Sequence, residues 1–126
     1  MLFEIASTKS MTAIDQGLRE AAARHKFGVM AVHNLKETMA AKGVDFQGEC
    51  QIYEVCNPLQ AKRVLEVNGS ASVALPCRIS IYRAGDGYRI ATLLPTAMLK
   101  MLNMPDLAPV AEEVETAIVS MMKETA

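Results

Sequence analysis

A chain of 126 residues, 51% hydrophobic and 21% charged, is long enough for one domain with its own core and too apolar to be disordered. A net charge of −1 gives no basic surface for neutralising phosphates, so nucleic acid is not an expected partner. Three cysteines without a secretory leader point to reduced thiols in a cytoplasmic protein, and the longest apolar stretch, residues 91–104, is too short and too broken by Pro95 and Lys100 to cross a membrane.

Leu2 to Ala6 reads as a first strand. Ser10 or Thr12 can cap the helix that follows, in which Met11, Ile14, Leu18, Ala21, Ala22 and His25 recur at helical spacing until Gly28. Val29 to His33 is a continuous apolar run, expected as a central strand buried on both faces. A short helix over 35–42 stops at Gly43, the residue type that a left-handed helix end favours.

Residues 49–55 alternate as a strand. Asn57 then caps a helix opened by Pro58, where the missing N–H costs nothing, and running to about Val67. Its expected buried positions are Leu59, Ala61, Val64 and Leu65. Residues 75–83 alternate again, turn at Gly85-Asp86-Gly87, and return over 88–93, which is a hairpin pattern. Helices over 95–102 and 109–123 finish the chain, broken by Pro105. The order β-α-β-α-β-α-β-β-α-α predicts a single α+β domain over 1–126, with a mostly antiparallel sheet and helices packed mainly on one face.

Chemistry concentrates at two cysteines, each beside a proline: Cys56 before Asn57-Pro58, and Cys77 after Pro76. Cys56 directly precedes a helix N-cap, where the dipole and free N–H groups favour an anion and so a lowered thiol pKa; the alternative is a small core side chain. Cys77 alternates in phase with Ile79 and Ile81, which favours burial at a strand opening. Cys50 reads as packing. If Cys56 and Cys77 converge, with His33 as a third donor, they suit a soft or borderline metal ion such as Cu(I) or Zn(II), although no CxxC or HxxH spacing supports it. Arg78, Ser80 and Tyr82 share the face opposite Cys77 and read either as an anion contact or as an exposed sheet surface.

Met98, Met101, Met104, Met121 and Met122 lie on the two C-terminal helices and read as core, as a subunit interface or as a soft-metal surface. The stripe Leu94, Ala97, Met98, Met101 and Leu102 fits a homodimer contact. Dinucleotide, P-loop and nucleophile-elbow motifs are absent, and no acidic pair stands at a convincing spacing, so the reading leans away from an enzyme.

Cys56-Asn57-Pro58 followed by Ala61 and Leu65, and then Leu75-Pro76-Cys77, resemble the domain-of-unknown-function (DUF) family 302. The resemblance covers about residues 27–94, supported by Phe27 to His33, Lys42-Gly43 with Phe46, and Ile52 to Val55. Asn34 follows His33 where an acidic residue is expected in relatives. The resemblance implies a curved antiparallel sheet similar to the TATA-box-binding-protein-like fold, often as a homodimer, and assigns no activity. Two functional expectations result. In one, Cys56 and Cys77, with Asn57, Arg78 and His33 as further candidates, form a thiol-based site for a small ligand, a soft metal or a sulfur species, with binding or redox function. In the other, the protein is a non-enzymatic homodimeric binding or scaffold protein whose cysteines are core residues.

Overall fold

The computed structural model describes all 126 residues. Strands β1 (Leu2–Ser7), β2 (Gly28–Asn34), β3 (Cys50–Cys56), β4 (Cys77–Ala84) and β5 (Gly87–Leu93) form one sheet. Its order is β1-β5-β4-β3-β2 and every pairing is antiparallel. The helices are α1 (Met11–Arg24), α2 (Leu35–Ala41), α3 (Pro58–Val67), α4 (Pro95–Leu102) and α5 (Ala108–Thr125), with short 3-10 turns at Gly69–Ala74 and Pro105–Leu107. The α+β expectation therefore holds, as does the order of its elements.

Local sequence explains most boundaries. Ser10 caps α1, its Oγ accepting from Ala13 N at 3.2 Å. Asn34 Oδ1 does the same for α2, accepting from Glu37 N at 3.1 Å. Gly43, at φ +78°, sits just past the end of α2, a conformation that costs glycine no Cβ clash. Gly85, at φ +61°, turns the β4–β5 hairpin. The end of α1 departs from expectation: the left-handed residue is Lys26, at φ 64°, and Gly28 already belongs to β2.

The core fills one side of the sheet. Ile14, Leu18, Ala21 and Ala22 of α1, and Ile118, Met121 and Met122 of α5, bury against the inner face. That face presents Tyr53, Val55, Ile79, Ile81, Tyr88 and Ile90, the alternate residues of β3, β4 and β5. Burying such side chains contributes roughly 1.5–3 kcal/mol each, which makes this layer the main source of stability. A smaller cluster of Ala71, Leu107 and Val110 gathers the helical segments beyond the strand ends, with Val64, Leu99 and Met104 packed against it.

Two sequence expectations are corrected. Residues 29–33 do not form a central strand buried on both faces: β2 is an edge strand. Its register shifts between Val29 and Ala31, and the bulged Met30 is 63% exposed. A bulge of this kind blunts an edge against further pairing. In α3, Leu59 is 71% exposed and Leu65 is exposed too, because the helix turns Ala61 and Val64 inward instead.

Candidate functional site

The ladder places the two proline-flanked cysteines together. Val55 pairs with Cys77, so the first residue of β4 lies diagonally across from Cys56, the last residue of β3. Strand geometry sets their Cα atoms about 6 Å apart. The strand carrying Cys77 thus begins beside the helix that Asn57 caps. All three cysteines are free thiols.

Both Cys56 and Cys77 line a cavity of about 60 Å³ at this end of the sheet. One side is made by the first turns of α3, through Gln60, Ala61 and Val64. Met98 and Leu99 of α4 close another, and Val110, Ala111 and Val114 of α5 a third. The cavity lies where the main core meets the satellite cluster around Leu107. Its wall contains no charged residue, and only Asn57 and Gln60 bring side-chain amides to it.

Asn57 has a structural role. Its Oδ1 accepts from Leu59 N at 3.0 Å and Gln60 N at 3.2 Å, while Pro58 brings no N–H to the first turn. This corrects the expectation of a thiolate-stabilising helix end. The donors that would hold a Cys56 thiolate are occupied by the cap, and burial pushes the Cys56 thiol up, not down. Burial raises Cys77 further, to about 11, with the neighbouring Cys56 adding to the rise. Both groups are neutral thiols at physiological pH, and the thiolate is the form that attacks electrophiles and binds metals.

His33 and Arg78 stand elsewhere. They meet on the outer sheet face at Glu54, whose Oε1 lies 3.4 Å from His33 Nε2 and 3.5 Å from Arg78 Nη2. His33 pairs across the ladder with Ile52, four residues along β3 from Cys56. No group of three or more His, Cys, Asp or Glu residues is placed to hold a metal ion, so Cys56, Cys77 and His33 do not assemble as one donor set. Cys50 is on the outer face as well, its Sγ 3.7 Å from Ser80 Oγ.

The methionines divide. Met121 and Met122 are wholly buried in the core, Met98 lines the cavity, Met104 joins the satellite cluster, and Met101 is exposed. Sequence reasoning missed Gln60. The available signal was a polar side chain one turn before Val64, on the stripe that α3 turns inward.

The Domain of unknown function DUF302 model matches residues 3–125. The chain belongs to the DUF302 family. It is also similar to the crystal structure of an uncharacterised conserved DUF302 protein from Bacillus stearothermophilus, at 28% identity and a TM-score of 0.94. That likeness covers 99% of this chain and 98% of the other. No curated protein matches the chain. No helix of this DUF302 protein is long and apolar enough to cross a membrane.

Proposed function

We propose that this DUF302 protein is a non-catalytic binding protein that takes a small molecule into the cavity at the strand ends, with Cys56 and Cys77 as neutral groups of its wall. The supporting observation is that both thiols border one apolar cavity whose surroundings hold them protonated. The cavity's apolar wall with few polar groups is the usual lining of a small-molecule site. At about 60 Å³ it is far smaller than most such sites, which start at about 300 Å³, and this limits the occupant to a very small molecule. Redox or soft-metal chemistry, and capture of a sulfur species by a thiolate, have less support because they need the ionised sulfur. Three free cysteines favour a reducing compartment, and so the cytoplasm.

The test is an amide NMR titration with ethanol and acetonitrile, run beside native thiol labelling. Binding should move signals from Ala61, Val64 and Leu99, and Ala61→Leu should abolish it by filling the hollow. Labelling at neutral pH should be slow at both cysteines. Rapid labelling of Cys56 would return the reading to thiol chemistry.

A second reading, a homodimeric binding or scaffold protein, is favoured by the outer sheet face. Leu2 and Leu93 pair directly there, and each is about half exposed or more, at 61% and 48%. Around them, Glu4 and Glu54 already balance Arg89 and Arg78, so a second copy would meet little net charge. The helix α4 offers less, since Leu94, Ala97, Met98 and Leu102 are half-buried within the subunit. Light scattering on wild type and on Leu93→Lys decides it: a dimer that the substitution dissociates supports this interface, and a monomeric wild type removes it.

A further inference from the structure

Gln60 Oε1 is the one buried side-chain polar atom in the protein that has no hydrogen-bond partner. Gln60 is also part of the cavity wall. The other amide there, Asn57, has its oxygen committed to the α3 cap. Among the side-chain oxygens and nitrogens of this largely apolar wall, Gln60 Oε1 is therefore the buried acceptor left unused.

We infer that the cavity selects a small neutral molecule with an apolar body and a single O–H or N–H donor, bound so that the donor reaches Gln60 Oε1. This inference rests on the reading of the cavity as a ligand site, and it names the class of ligand. Charge is ruled against by the wall, which has no ionic partner to offset the loss of hydration. Size follows from the volume: a single water needs about 10–15 Å³. A space of about 60 Å³ is well under half the volume, about 150 Å³, of a cavity that takes benzene, so it suits a molecule of only about three or four heavy atoms.

Ethanol, acetonitrile and acetate are matched probes, sharing a methyl group and differing in donor and charge. Their affinities are measured by NMR titration on wild type and on Gln60→Met, which keeps the length of the side chain and removes the acceptor. The ratio of ethanol to acetonitrile affinity should fall at least about fivefold in Gln60→Met, the worth of one neutral hydrogen bond. Acetate should not bind. In wild type, the Gln60 side-chain amide signal should move with ethanol and stay with acetonitrile, a readout that needs no variant. If both neutral probes bind but the ratio is unchanged and the amide signal is indifferent, the donor rule is wrong and the cavity reading survives. If neither neutral probe binds, the cavity reading fails and the inference goes with it.

Discussion

Cys77 stands directly opposite Val55 in the β3–β4 ladder, and this pairing brings its thiol to the end of the strand that Cys56 closes. The pair borders a cavity, and burial holds both sulfurs protonated.

The raised Cys77 pKa, about 11 against an ordinary 9.0, sets a stability window. A thiol raised on folding adds stability that is complete below the unfolded value near 9 and lost as pH climbs through 11. With reductant present, the melting temperature of wild type should therefore drop more steeply between about pH 9 and 11 than that of Cys77→Val. Parallel curves would show that Cys77 ionises as freely as in the unfolded chain.

Asp15 governs the acid side. Burial would raise its pKa, but the Tyr53 hydroxyl, donating at 2.6 Å, and Arg19 outweigh that and hold the carboxyl low. A lowered carboxyl contributes stability above its unfolded pKa of 3.8 that is lost as pH falls through the folded value. Asp15→Asn should flatten acid unfolding below about pH 4. Tyr53→Phe should cost about 1–2 kcal/mol in urea denaturation at neutral pH.

Removing the α3 cap should do two things. Asn57→Ala should destabilise the protein by about 1 kcal/mol, the usual worth of an N-cap. It also frees Leu59 N and Gln60 N, so Cys56 should label faster in the variant than in wild type. Unchanged labelling with the expected loss of stability would show that burial alone sets the reactivity of Cys56.

Gly87 and Gly28 should respond oppositely to alanine. A Cβ on Gly87 would lie 2.7 Å from the backbone oxygen of Ser7, inside the β1–β5 contact, whereas one on Gly28 meets nothing within 4 Å. Gly87→Ala should cost on the order of 1–3 kcal/mol by displacing β1. Gly28→Ala should fold with little change. Thermal melts of the two side by side check the pair.

Element boundaries were legible because the chain marks them locally, with Ser10, Asn34 and Asn57 as caps and Gly43 and Gly85 as turns. The position of β2 was not, since an apolar run such as Val29 to His33 looks alike in a central strand and in a bulged edge. Cys56 and Cys77 could be singled out, but their proximity depends on a register set by long-range pairing. Local spacing likewise suggested Leu59 and Leu65 as buried, yet the partners of α3 come from α5 and the turn at Gly69–Ala74. The face it buries was therefore decided by how the chain folds back just after the helix and by α5, which comes much later in the sequence.

Strand β1 hydrogen-bonds within the sheet to β5 alone, with Leu2 opposite Leu93 and Ser7 opposite Tyr88. The earliest of the five strands to be synthesised therefore has no partner until the latest one has emerged. At about 5–20 residues per second, it waits on the order of 4–20 seconds with its backbone groups unpaired. The sheet can grow from β2 through β5 while the chain is still being made, and β1 closes it last. Nascent chains stalled before Leu93 should thus be the ones that call on a chaperone.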